Sequence, residues 1–270
     1  MGLYDHRVHA GNAGDVWKHF LLMEAADWLL KDSNRLIYAE SHAGRPHYLL
    51  KAPGEWQDGI GRIWQLLPAL QAFAYFRILS ELNPSLTQAS EERLYPGSAR
   101  LIRELAWMRG AELEAEIWDN HSQVAASWQD YLSAQSLPAD RSPQGISFHF
   151  SDGFSGLFSH LRPLSSDFSP CLLFIDPPYV HSQEVHMAER LLQRARDAGW
   201  IVLWWYMTDE MSAPEEMDAL ELDFSQAGMH GGRWKGAGVA VTGSQSSQLS
   251  SLVHHLQQRS EGLIRMLKWH

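Results

Sequence analysis

An α/β architecture is what this sequence predicts: a seven-stranded, mostly parallel sheet in one domain spanning residues 1–270, with a small helical insertion at 54–93. Three observations predict it. Short runs rich in Ile, Val, Leu and aromatics recur between helix-like stretches. The run Cys171-Leu172-Leu173-Phe174-Ile175 is apolar throughout, as a strand covered on both faces must be. Residues 54–93 break the alternation with a helical period set by Ile60, Ile63, Trp64 and Leu67.

In chain order, a helix-like segment carrying Lys18 and His19 precedes the first strand, Leu36 to Glu40. The remaining strands are Glu112 to Trp118, Ile146 to Phe150, Cys171 to Ile175, Trp200 to Tyr206, Leu220 to Phe224 and Val239 to Thr242. The helical stretch at 54–93 reads either as a pair of crossover helices or as an insertion lying over the ligand face. Ser-rich pieces at 133–142 and 244–251 read as loops, the second leading into a terminal helix. Between Asp209 and Asp223 there are seven acidic residues and no Lys or Arg, the composition of a solvated helix.

Bulk properties narrow the function. With 45% hydrophobic and 20% charged residues the chain reads as an ordinary globular protein. No stretch approaches the length of a membrane span, and Met1 to His6 carries neither a signal-peptide nor a myristoylation pattern; a cytoplasmic protein is expected. The single cysteine, Cys171, lies in an apolar strand and is assigned to core packing. Most of the 12 tryptophans, Trp17, Trp28 and Trp64 among them, are expected to be core or groove walls. A net charge of −10 argues against coating nucleic acid by bulk electrostatics, while leaving room for a local basic mouth.

The most informative residues are Asp176-Pro177-Pro178-Tyr179, directly after the apolar strand. That places them at a strand's carboxyl end, where open α/β sheets bind ligands. Two prolines in succession neither donate to a sheet ladder nor readily begin a helix, so the Pro177 carbonyl is left without a local partner. A carboxylate, a carbonyl and an aromatic ring together suit a planar amine: two acceptors for its hydrogens and a face on which to stack. His6 and His9 invite a metal, but no His-Glu-x-x-His pattern or Cys-His cluster supports one, and none is expected.

The tetrapeptide resembles the amine-methylating motif of S-adenosylmethionine-dependent N-methyltransferases, which act on adenine N6, cytosine N4 or a glutamine amide. The N-terminal pattern Tyr4-x-His6-x-x-His9-Ala10-Gly11-Asn12-x-x-Asp15-Val16-x-Lys18-His19 is similar to the opening motif of the RlmJ family, which methylates adenine N6 in 23S ribosomal RNA. Ser41-His42-Ala43-Gly44, Tyr95-Pro96-Gly97-Ser98, Glu116 and Asp152-Gly153-Phe154 follow in family order.

The resemblance implies a Rossmann-like class I methyltransferase fold and S-adenosylmethionine as cofactor. Its partner would be 23S ribosomal RNA or a large-subunit precursor, met by a monomer. It assigns Asp176, Pro177 and Tyr179 to the reaction and Tyr4 and Tyr179 to the target base. Lys18, His19, His42, Ser98, Glu116, Asp152, Gly153 and Asp176 fall to the cofactor: Lys18 facing its carboxylate, Glu116 its ribose hydroxyls, Asp152 its adenine amine. In the glycine loop, Arg45-Pro46 stands where the family has Ala-Gly, and Pro46 lacks the N–H that a glycine supplies. Two alternatives stay open: an adenine-N6 methyltransferase acting on DNA, and a non-catalytic RNA-binding protein with a degenerate cofactor loop.

Overall fold

The structure, a computed structural model, describes residues 9–84, 93–134, 145–161, 169–179, 183–214, 217–232, 234–244 and 246–268. The expected sheet is present. Seven strands, β1 (Arg35–Glu40), β4 (Glu112–Asp119), β5 (Gly145–Phe150), β6 (Cys171–Ile175), β7 (Ile201–Met207), β8 (Asp218–Asp223) and β9 (Gly236–Thr242), stand in the order β5-β4-β1-β6-β7-β9-β8. All neighbours are parallel except β9, which runs antiparallel to both β7 and β8. The order reverses between β1 and β6, the topological switch point at which α/β sheets open a ligand crevice.

Alternate residues of the strands feed two cores. On one face Leu36, Tyr38, Ala115, Leu172 and Phe174 pack with helices α1 (Ala13–Leu29), α3 (Ala74–Leu82), α4 (Ser98–Arg109) and α8 (Ser246–Lys268). On the other, Ala39, Leu173, Ile175 and Val202 meet α6 (Gly153–His160) and α7 (Gln183–Asp197). Every residue of β6 is buried, Cys171 included, as burial on both faces requires.

Helix starts are set by side-chain caps. Asn12 Oδ1 accepts from the Asp15 amide at 2.9 Å at the head of α1, and Asp152 Oδ1 accepts from the Ser155 amide at 2.8 Å at the head of α6. The first cap places Asn12, Gly14 and Asp15 at the crevice, and the second lies just past the carboxyl end of β5.

Residues 55–82 form short helical pieces: 3₁₀ turns at Glu55–Gln57 and Trp64–Leu70, α2 (Ile60–Ile63) and α3. Ile60, Ile63, Trp64 and Leu67, the residues that set the helical period, are all buried. They are bracketed by a two-stranded antiparallel ribbon, β2 (His47–Leu50) with β3 (Arg93–Pro96), that the sequence reading did not expect. The Ile60 amide donates to the Gly11 carbonyl at 2.9 Å, fastening these pieces to the start of α1.

The acidic stretch expected as a solvated helix is instead a turn followed by β8. Leu220 and Leu222 alternate with exposed positions, a period of two that outweighs the charge count. The Asp209 carboxylate accepts from the Lys235 and Gly236 amides, closing the turn. No helix among the described residues is long and apolar enough to cross a membrane.

Candidate active site

The carboxyl ends of β1 and β6 lie side by side, with Glu40 in register with Phe174. From β1 come Glu40, Ser41 and His42; from β6, Asp176 to Tyr179. A cavity of about 1100 Å³ opens here, lined among others by Lys18, His19, His42, Ser98, Asp176 and Tyr179. With Pro177, the switch point gathers seven expected residues that lie up to 161 positions apart in sequence.

Charge is concentrated beneath the cavity. Lys18 Nζ sits 2.8 Å from Asp15 Oδ1 and 2.7 Å from Asp176 Oδ2, with its side chain 6% exposed. Burial works against the ammonium, but the two carboxylates outweigh it and hold Lys18 above its ordinary value. Glu40 is fully buried beside this pair; it accepts from Tyr38 OH at 2.8 Å and from the Ser98 hydroxyl. Burial raises its carboxyl to about 8 against the opposing effect of those two donors, with Asp176 adding repulsion. The sequence reading missed Glu40. The signal lay in Tyr38, two residues earlier and therefore on the same strand face.

His42 is kept neutral. Burial lowers it to about 4, against the attraction of Asp152. Its Nδ1 lies 2.8 Å from Ser41 Oγ, and its ring meets Phe154 edge to face with centroids 4.9 Å apart. Gly153 lets α6 come this close: a Cβ there would stand 1.7 Å from the Ser41 carbonyl oxygen. Close packing, rather than a turn, is what demands glycine at this position.

Three expected cofactor residues do not line the cavity: Glu116, Asp152 and Gly153. Asp152 and Gly153 support His42 from behind. Glu116 lies three residues before the end of β4, and its carboxylate is 2.5 Å from His149 Nε2. The residue at the strand end is Asp119, which does line the cavity and whose Oδ2 accepts from the Gly44 amide at 3.1 Å. Extending the strand one residue past Trp118 would have pointed to it.

The Arg45-Pro46 departure is absorbed by the loop. Gly44 adopts φ +57°, and a Cβ on it would come within 2.8 Å of the Tyr48 hydroxyl. That hydroxyl accepts from the Arg45 amide at 2.9 Å, and the Pro46 carbonyl accepts from Gly97 at 3.1 Å. Arg45 lines the cavity and Pro46 does not. The Pro46 group that meets Gly97 is thus its carbonyl, which proline retains.

Tyr179 carries φ +53°, a left-handed conformation costly for an aromatic residue. What holds it is its hydroxyl, which donates to the Trp205 carbonyl and accepts from Trp204 Nε1 at 2.7 Å. The neighbouring ring of Trp205 lies 5.9 Å from that of Tyr179 and carries Lys18 Nζ 4.8 Å from its centroid. His9 lines the same cavity and pairs with Glu55 at 2.8 Å. Tyr4 and His6 lie outside the described residues. Among the described residues no group of three or more His, Cys, Asp or Glu side chains is placed to hold a metal ion.

Residues 33–226 match the model of the family described as Ribosomal RNA large subunit methyltransferase D, RlmJ. Ribosomal RNA large subunit methyltransferase J of Escherichia coli (strain K12) is 32% identical over 187 residues, covering 65% of this chain and 59% of that protein. The Haemophilus influenzae protein of the same name is 26% identical over 211 residues, covering 75% and 69% respectively. The chain thus spans about three fifths of the length of the Escherichia coli relative. A solved structure from Legionella pneumophila str. Philadelphia 1 shares the fold, with a TM-score of 0.66 at 22% identity over 92% of each chain.

Proposed function

Because this chain belongs to the RlmJ family of ribosomal RNA large subunit methyltransferases, we propose that it transfers a methyl group from S-adenosylmethionine to adenine N6 in 23S ribosomal RNA. One observation carries the reading: Asp176-Pro177-Pro178-Tyr179 stands at the sheet's switch point, its carboxylate braced by a buried lysine and its tyrosine held in a strained conformation at the cavity wall.

The residues present fit the cofactor. His42, Ala43 and Gly44 bring backbone to the cavity wall, and Asp119 stands where a carboxylate at the end of the strand next to β1 accepts ribose hydroxyls. We assign that role to Asp119 in place of Glu116. When bound, S-adenosylmethionine supplies a methyl carbon already activated by its sulfonium.

The chain's own residues then do four things. Tyr179 stacks on the target adenine, offsetting the energy of taking it out of its stack. Asp176 and the Pro177 carbonyl accept the two N6 hydrogens, which directs the nitrogen lone pair along the line of displacement. Lys18 keeps Asp176 in place and unable to swing away. As the new N–C bond forms and the C–S pair departs to sulfur, Asp176 or water takes the N6 proton. On this reading the chain acts in the cytoplasm as a monomeric single domain, with 54–93 as a helical insertion beside the cavity.

Two measurements test the proposal. Calorimetric titration with S-adenosylmethionine should show saturable binding; its absence would favour a non-catalytic RNA-binding protein. Tritium transfer from labelled cofactor should favour protein-free 23S RNA or assembled subunits over duplex DNA, where flipping a paired base costs a few kcal/mol more. Duplex DNA as the best acceptor would overturn the ribosomal assignment.

A further inference from the structure

Three buried polar groups run in single file from the helical segment to the cavity wall. Tyr75 on α3 lies with its hydroxyl 2.9 Å from that of Tyr95 on β3, and Tyr95 OH lies 3.0 Å from Nδ1 of His19 on α1. Both tyrosines are fully buried and His19 is 5% exposed. Burial also pushes both phenols above their ordinary range, so each keeps its single proton.

The direction of the chain follows from its dead end. Among the described residues Tyr95 is the only hydrogen-bond partner of Tyr75. If Tyr95 donated to Tyr75, the Tyr75 proton would be buried with no acceptor. A buried donor left unpaired costs more than an oxygen with an unused lone pair. Tyr75 therefore donates to Tyr95. Tyr95, having only one proton, donates it to His19 Nδ1, and Nδ1 must accept. The ring then carries its proton on Nε2.

We propose that Tyr75 and Tyr95 are positioning residues that lock His19 as the neutral Nε2–H tautomer, so that it offers the cavity a donor matched to an anionic group, namely the carboxylate of the bound cofactor. The identity of that group rests on the methyltransferase reading; the tautomer does not. The assignment also answers a question raised by Lys18, which is already engaged by two carboxylates and was expected to meet the ligand carboxylate itself. It gives residues 54–93 a part in the site through Tyr75.

Long-range proton–nitrogen correlation spectra of the ¹⁵N-labelled, ligand-free full chain read the tautomer directly, with His19→Gln identifying the His19 signals. The wild type should show Nε2 protonated and Nδ1 bare. Tyr95→Phe should convert His19 to a mixture of states, whereas Tyr75→Phe makes Tyr95 the dead end, still obliged to donate to Nδ1, and should leave the Nε2–H tautomer in place. A wild-type Nδ1–H signal overturns the lock even if both variants fail to fold, and so does an unchanged His19 spectrum in Tyr95→Phe.

Calorimetry with S-adenosylhomocysteine tests the ligand half. Tyr95→Phe should weaken binding roughly five- to tenfold, the effect of a misdirected hydrogen bond to a charged group. Unchanged affinity with an altered tautomer overturns the carboxylate assignment alone. No binding to the wild type would count against the methyltransferase reading and leave the tautomer result standing.

Discussion

Lys18 Nζ holds Asp176 Oδ2 at 2.7 Å, tying the first helix to the carboxyl end of β6. The same ammonium reaches Asp15 at 2.8 Å, so one cation serves two carboxylates in a nearly closed space. Lys18→Met would leave both without it. Removing one partner of a buried ion pair costs about 3 kcal/mol or more. Urea unfolding of this variant should show that loss, with methyl transfer falling as Asp176 loses its brace. Wild-type stability would mean that the pair is solvated in solution.

Asp119 and Glu116 offer a direct contrast. Asp119→Ala should weaken S-adenosylhomocysteine binding by roughly tenfold or more, since it removes a charged acceptor and releases the Gly44 amide. Glu116→Gln, acting on His149 away from the cavity, should change affinity by less than about threefold. The reverse ranking, read by calorimetry, would restore Glu116 as the ribose ligand.

Pro46→Gly should not strengthen cofactor binding. Pro46 faces Gly97, and the loop amide after Gly44 already bonds Tyr48, so a restored glycine adds freedom without adding a contact to the cavity. Stability should fall by about 0.4–1 kcal/mol through the unfolded chain's greater entropy. A clear gain in affinity would show that proline obstructs the loop.

Glu40 and His42 give stability a defined pH dependence. Glu40 is raised from 4.5 to about 8, so the folded state binds the extra proton and stability is lost as pH rises across that window. His42 is lowered from 6.5 to about 4, so it gives the opposite slope, with stability lost as pH falls through that range. The two oppose each other below 6.5, and above it Glu40 acts alone. Unfolding free energy should therefore decline between pH 6.5 and 8, and Glu40→Gln should flatten that decline. A decline that persists unchanged in the variant would place its origin elsewhere.

All seven sheet strands were legible because their apolar runs are local signals. β6 reads as buried from its five residues alone. The β2–β3 ribbon was not legible, since His47–Leu50 and Arg93–Pro96 are short and their pairing spans the whole helical segment between them. That Asp176 to Tyr179 and His42 line the cavity could be anticipated from sequence, because their place after an apolar strand is a local signal. Glu40 could not: a glutamate ending a strand is ordinarily solvated, and only the β1–β6 pairing with Ser98 above it makes this one a buried carboxyl. Asp119 was hidden by a single residue of strand length. Tyr75 and Tyr95 looked like core aromatics, and their line of hydroxyls exists only once α3, β3 and α1 have packed.

Asp176 is proposed to direct a methyl group to an adenine amine, and its carboxylate can be tested alone. Wild type and Asp176→Asn should be incubated with S-adenosylmethionine and protein-free 23S RNA, and the digested nucleosides resolved by mass spectrometry. The wild type should produce N6-methyladenosine. The variant keeps the side chain's shape but loses its charge, and it should form product on the order of a hundredfold more slowly. Methylation at another base or atom, or near-normal turnover by Asp176→Asn, would contradict the account.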